Sequence, residues 1–381
     1  MTSRIATDPR MAFIGLLLTL LATGHAQATE PKGTLDFGDG CDELVRNLAV
    51  SPDGKFIAVY RDRELDRAAV TLWDVAARKQ IAMIKLGDWA PTGDFAFSPD
   101  GKYLTVCAWR AGDSNKSRST AVFWDLATLK ESRRVDLEQG PGRPTIFTPD
   151  GKSLITCTAD QDIVVVSLES GKQVKALKCD NPRKDKITAL AVSPDGKTLA
   201  AGRRAVLLLF DLEKGELSRR IEAPKEVVDN ANPAKLGGVP SPLALQMLYD
   251  WPGVTDILAF SPDGKRLVSA AYLANQLMVW DPATGKNMDV LRFNRREMVL
   301  SAVAFSPDGA TLALVGCGRI ELWDFAQFGY RGDFSGVYPS IGIKDYVVFT
   351  PDGKTLIIGS GQVDTWDVPA GAPKSVRYPK T

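Results

Sequence analysis

Short apolar stretches alternate with turn-forming residues along most of the chain, and they come in a fixed order. First is a large-small-large triplet, as in Leu48-Ala-Val50, Phe95-Ala-Phe97, Leu190-Ala-Val192, Leu258-Ala-Phe260 and Val303-Ala-Phe305. It has no polar side, so it predicts a strand covered on both faces, with alanine where a neighbouring sheet comes close. Next comes a tight turn, then a second apolar strand such as Phe56–Tyr60 or Tyr103–Cys107. A third strand ends in Trp-Asp or a variant, and a further turn leads into a fourth, outer strand such as Gln80–Lys85.

The tight turn has nearly the same sequence each time: Ser51-Pro-Asp-Gly54, Ser98-Pro-Asp-Gly101, Thr148-Pro-Asp-Gly151, Ser193-Pro-Asp-Gly196, Ser261-Pro-Asp-Gly264, Ser306-Pro-Asp-Gly309 and Thr350-Pro-Asp-Gly353. Proline presets one central φ, the aspartates (Asp53, Asp100, Asp150, Asp195, Asp263, Asp308 and Asp352) bond nearby backbone, and glycine accepts a positive φ. Successive copies start 47, 50, 45, 68, 45 and 44 residues apart. Four short strands in about 40–45 residues make one propeller blade. The pattern therefore predicts an all-β fold: a single seven-bladed β-propeller of four-stranded antiparallel blades. The long fourth interval places an insertion at about 223–253, between blades four and five.

The third strands end in Trp73-Asp74, Trp124-Asp125, Trp280-Asp281, Trp323-Asp324 and Trp366-Asp367, with Phe210-Asp211 in blade four and Ser167-Leu168 in blade three as departures. By spacing, turn and terminal Trp-Asp, residues 34–381 resemble the WD40-type (YVTN/WD40-like) repeat family. Many members carry a Gly-His dipeptide whose histidine bonds within each blade, but the only histidine here is His25. The resemblance therefore implies the propeller without that network, each blade resting on packing and ladder bonds with Trp73 and its equivalents as apolar anchors. Thr34–Phe37 and Ser375–Tyr378 compete for the outer strand that closes the ring, and the N-terminal segment is favoured.

Arg4 and Arg10, the apolar run Met11–Ala22 and Ala26-Gln-Ala28 read as a secretory signal peptide cut after Ala28, leaving 29–381 as the exported propeller. The run is too short for a membrane span, although an uncleaved anchor is the alternative. Export means the periplasm or the cell exterior. With 47 Lys+Arg against 46 Asp+Glu the charge is balanced, which gives no basis for binding nucleic acid or an anionic membrane. The five cysteines (Cys41, Cys107, Cys157, Cys179 and Cys317) are odd in number and widely spaced, and read as small core residues.

Strand direction puts the Pro-Asp-Gly turns and the turns after Trp-Asp on one face, and the second-to-third and fourth-to-first loops on the other. The tryptophans outside the Trp-Asp set, Trp89, Trp109 and Trp251, fall on that second face. Beside them come Arg61 and Arg63 of blade one, Arg110 of blade two, Arg203 and Arg204 of blade four, and Tyr272 of blade five. Singly, each would solvate a loop or cover a blade edge; together they form a candidate partner-binding surface, because aromatic and arginine side chains dominate binding hot spots. Ser241-Pro242 followed by Leu243, Met247, Leu248 and Trp251 predicts a short amphipathic helix in the insertion, lying over the ring or serving as a lid or docking arm.

Losing the sole histidine with the signal peptide excludes Ser-His-Asp and Cys-His catalysis and histidine-bearing metal sites. The Gly-Lys-Thr and Gly-Lys-Ser triplets at 196–198, 353–355 and 151–153 lack the earlier glycine of a phosphate loop and open strands rather than helices. Asp160-Gln-Asp162 offers two carboxylates where calcium needs six to eight oxygens. The reading is a non-enzymatic, monomeric binding scaffold with a protein partner and no cofactor. The alternative is a propeller enzyme or small-ligand binder acting on a sugar, lactone or peptide through carboxylates and arginines at the channel mouth.

Overall fold

A computed structural model of the protein describes residues 33–34, 45–61, 69–110, 119–137, 144–158, 161–178, 185–203, 206–222, 255, 257–270, 276–292, 300–316, 319–335, 346–359 and 363–369. These residues form seven separate four-stranded sheets, each antiparallel and each wound in the order inner, second, third, outer. Blade one runs Val45–Val50, Phe56–Arg61, Ala69–Asp74 and Lys79–Ile84, and the others repeat it. Inner strands touch their neighbours all round the ring, with that of blade seven (Tyr346–Phe349) against that of blade one. The signal-peptide segment, the insertion with its expected helix, and Ser375–Tyr378 lie outside the described residues.

The apolar core is divided, because a sheet covered on both faces buries itself only against the blades on either side. Ala58, Tyr60 and Leu72 of blade one meet Phe95, Leu104 and Val122 of blade two in one cluster. Cys107 and Phe123 of blade two meet Leu154 and Val164 of blade three in the next. The last cluster joins Ile357 and Val363 of blade seven to Ile57, Val59 and Trp73 of blade one. Each inter-blade junction has such a cluster.

Blade seven is completed from the other end of the chain. Gly33 pairs with Thr365 and Thr34 with Asp364, so the N-terminal segment provides the outer strand beyond Val363–Asp367. Local conformation in the turns is as the sequence requires, since all seven Pro-Asp-Gly glycines have φ between +66° and +73°.

The tryptophan anchors also have a polar function that the sequence reading did not give them. Trp73 Nε1 donates to Thr71 Oγ1 at 2.9 Å, Trp280 Nε1 to Ser269 Oγ at 2.8 Å and Trp323 Nε1 to Glu321 Oε2 at 3.1 Å. Trp124 is only half-buried, and its buried Nε1 has no hydrogen-bond partner among the described residues. Strand register also shifts one departure: Leu154 faces Val166 as Ile57 faces Trp73, so Val166-Ser167, not Ser167-Leu168, holds the Trp-Asp position of blade three. Ser167 Oγ then accepts the Glu169 and Ser170 amides, as Asp125 Oδ1 accepts those of Ala127 and Thr128.

Trp280→Phe strands the buried Ser269 hydroxyl and is expected to cost about 1–2 kcal/mol more than Trp124→Phe, which removes an unsatisfied N–H. Urea unfolding of the two variants measures the difference, and equal losses would refute this role for the indole nitrogen.

Candidate binding face

Among the described residues, blade two extends furthest across the second face. Its inner strand, Trp89–Phe97, and second strand, Tyr103–Arg110, stay paired as far as Trp89 opposite Arg110 and Ala90 opposite Trp109. Among the described residues, blade one's equivalent pairing reaches Val45 opposite Arg61, two residues short of blade two, or about 7 Å at strand rise. Register breaks between Pro91 and Phe95. This bulge is braced from blade one, where Asn47 Nδ2 donates to Gly93 O at 2.7 Å. Gly93 has φ +89°, and a Cβ there would meet the Tyr60 ring at 2.8 Å. Within the bulge Thr92 Oγ1 lies 2.8 Å from Asp94 Oδ2 and 3.2 Å from Cys107 O.

Among the expected surface residues, Arg110 is exposed and Trp109 half-buried at the tip of this hairpin. Trp89 is half-buried and packs against the junction of blades one and two. The Arg134 guanidinium lies 5.5 Å from its ring centre, and Glu131 fixes that guanidinium through two hydrogen bonds of 3.1 and 2.9 Å. Arg61 and Arg203 are buried, at 6% and 5% exposure. Each is the last residue of a second strand, seven residues after its turn glycine, rather than a loop residue. Strand alternation turns Arg61 the same way as Ile57 and Val59, toward blade seven, so it belongs to the wall between blades. Arg63, Arg204, Trp251 and Tyr272 lie outside the described residues, as do Cys41, Cys179 and Cys317.

The electrostatics of the opposite face are dominated by turn aspartates. In each Pro-Asp-Gly turn the Ser or Thr hydroxyl donates to the carboxylate, at 2.6 Å for Ser193 to Asp195, and accepts an amide, at 2.9 Å from Thr198 N. That donated hydroxyl is the largest influence holding Asp100, Asp195, Asp263, Asp308 and Asp352 below the ordinary carboxylate value, followed by the amide two residues on. At Asp53 and Asp150 burial is the largest influence and pushes upward, but the hydroxyl, amide and lysine together outweigh it. Asp125 and Asp211 are lowered first by the amides of Thr128 and Lys214, and Asp281 by the Thr284 hydroxyl. Each of these shifts comes from capping a turn. Cys107 and Cys157 are buried, and burial, then the Asp94 charge, holds the Cys107 thiol well above its usual value.

These depressed carboxylates give acid sensitivity of definite sign. A group whose folded pKa lies below its unfolded value contributes stability in full above the unfolded value, near 3.8, and loses it as pH falls through the folded one. The urea midpoint should therefore hold steady down to about pH 5 and drop below about pH 4. Ser193→Ala should cost about 1–2 kcal/mol at neutral pH and flatten the acid fall. A midpoint that rises on acidification contradicts this assignment.

No family model matches the chain. The Synechocystis protein named "Uncharacterized WD repeat-containing protein sll1491" is 27% identical over 56% of this chain and 54% of its own length. "TBC1 domain family member 31" of Oryzias latipes is 34% identical over 29% of this chain, and "Uncharacterized peptidase YuxL" of Bacillus subtilis 28% over 47%. The chain thus spans about half of the first relative's length, and only 11% and 22% of the other two. A chain from the crystal structure of the mitotic checkpoint complex superposes with a TM-score of 0.63 over 97% of this chain and 99% of its own, at 14% identity. With seven registered blades, seven Pro-Asp-Gly turns and a WD-repeat relative over half the sequence, the chain is a seven-bladed β-propeller of the WD40 type.

Proposed function

We propose that the protein is an exported, non-enzymatic scaffold that docks a protein partner on its second face. The carrying observation is the blade-two extension, which holds Trp109 and Arg110 beyond the described ends of the other inner hairpins on a base braced by Asn47 and Tyr60. A pre-ordered tryptophan-arginine tip gives contact area at little entropic cost. The chemistry of the turn face supports binding over catalysis, since its shifted aspartates are engaged in capping turns. The fold it shares with a chain of the mitotic checkpoint complex is compatible with protein binding. A second reading, a propeller enzyme or small-ligand binder, is favoured by the partial similarity to the protein named as a peptidase.

The docking test compares Trp109→Ala/Arg110→Ala with a turn-face control, Lys152→Ala/Lys265→Ala, as baits against the envelope fraction and culture fluid of the native source. One protein should be retained by the wild type and the control and lost, at least tenfold, by the double variant. Loss by the control alone would move the interface to the turn face, and retention of nothing by any folded bait would favour the small-ligand reading.

Export rests on the composition of residues 1–28, with two arginines before an apolar run and an Ala-Gln-Ala end. N-terminal sequencing of the protein recovered from the periplasm or medium should begin at Thr29. Recovery in the cytoplasm with an intact N-terminus would overturn it.

A further inference from the structure

Five of the rim junctions close in two different ways, and the choice follows two sequence positions. The first position lies on the outer strand, opposite the residue before the Trp position. It is Arg133 in blade two, Lys175 in blade three and Arg219 in blade four. Each cation reaches a carbonyl in the turn of the next blade. Arg133, with its guanidinium 3.7 Å over the Phe123 ring, has Nη1 3.4 Å from Leu168 O. Lys175 Nζ lies 2.5 Å from Leu212 O and 2.6 Å from Glu213 O, and Arg219 Nη2 lies 2.8 Å from Ala283 O. The same position is Ala82 in blade one, Asp289 in blade five and Gly332 in blade six, none of which carries a cation.

The second position is the left-handed residue of the receiving turn. It is glycine in the three blades that receive a cation: Gly171, Gly215 and Gly285, with φ of +72°, +75° and +74°. A Cβ on Gly285 would sit 2.3 Å from Arg219 Cδ, and one on Gly171 would sit 1.9 Å from Asp136 O of blade two. Glycine is thus what lets the preceding blade's outer strand lie across the turns of blades three and five, whereas a Cβ on Gly215 would meet Lys175 Cδ only at 3.7 Å. In blades two and six, which receive no cation from that outer-strand position, the left-handed residue is Leu129 and Phe328 at φ +55° and +51°, despite the steric cost of that conformation, and in blade six the Arg266 guanidinium of blade five lies 5.6 Å from the Phe328 ring centre instead. Those side chains plug the junction themselves, Leu129 packing between blades one and two and Phe328 between blades five and six. In blade one the residue is Arg78, which is exposed.

We propose that Arg133, Lys175 and Arg219 are inter-blade latches that make blades two to five one cooperative arc. A cation held to a carbonyl in the turn of the next blade must be released before that blade can separate, so latched blades open together.

The test is hydrogen exchange of the full chain, followed by mass spectrometry. In the wild type, strands of blades two to five should exchange as one slow class. Arg219→Ala should lower protection of blade five about tenfold and separate it from blades two to four. Lys175→Met, which keeps the length of the side chain, should release blades four and five together. Gly285→Ala should cost less stability in the Arg219→Ala background than alone, because the steric conflict is gone, although the φ strain remains. Unchanged protection of blade five in Arg219→Ala, or an equal fall in all seven blades, would overturn the proposal, as would additive effects of Arg219→Ala and Gly285→Ala.

Discussion

Packing of each sheet against its two neighbours is the constraint on which the rest of this structure depends. A blade here has no core of its own. Ile57 and Val59 of blade one look toward blade seven, while Ala58 and Tyr60 of the same strand look toward blade two. Both faces are therefore apolar, and a single blade in water would expose two hydrophobic surfaces. Only a closed ring covers every face. The alanines in the inner triplets follow from the same geometry, because sheets converge toward the axis and leave the least room there.

Closure by packing alone would leave register undefined, since the apolar faces of neighbouring blades are alike. Directional bonds at the blade ends supply it. In each Pro-Asp-Gly turn one hydroxyl both donates to the aspartate and accepts an amide, as Ser51 does with Asp53 and Phe56. The amide two residues on completes the carboxylate's shell. The hairpin thus starts in a unique register, and a one-residue slip would turn every core side chain to the wrong neighbour. No histidine network is needed for this, and the indole bonds of Trp73, Trp280 and Trp323 fasten the third strands.

Whatever repeats was legible in the sequence. Period, turn chemistry and the Trp-Asp ends recur at fixed intervals, so each copy supports the others and the strands could be read from them, whereas the closing segment lies outside the repeat and left two candidates. What differs between copies was harder to read. Arg61 and Arg203 look like loop residues because arginine is seldom buried; only their count from the turn glycine, seven residues in both cases, places them within strands. Val166-Ser167 went unrecognised because the eye follows chemical likeness to Trp-Asp, whereas register follows the distance along the strand. The indole partners were hidden for a related reason: Thr71 and Glu321 lie two residues before their tryptophans, but Ser269 lies on the neighbouring strand. The latch was within reach as a paired pattern, a cation in one repeat with a glycine in the next, but a scan for shared residues passes over paired differences.

Those differences are where a repeat fold acquires a particular use. A ring of identical blades would offer the same surface at every junction and could not orient a partner. This chain breaks the equivalence twice on neighbouring ground, by lengthening the hairpin of blade two and by latching the junctions from blade two to blade five. The tip bearing Trp109 and Arg110 therefore stands at one end of the stiffened arc, with the bulge at its base held by Asn47 and Tyr60 of blade one. A binding element on a rigid support keeps its geometry and loses less conformational entropy when a partner docks.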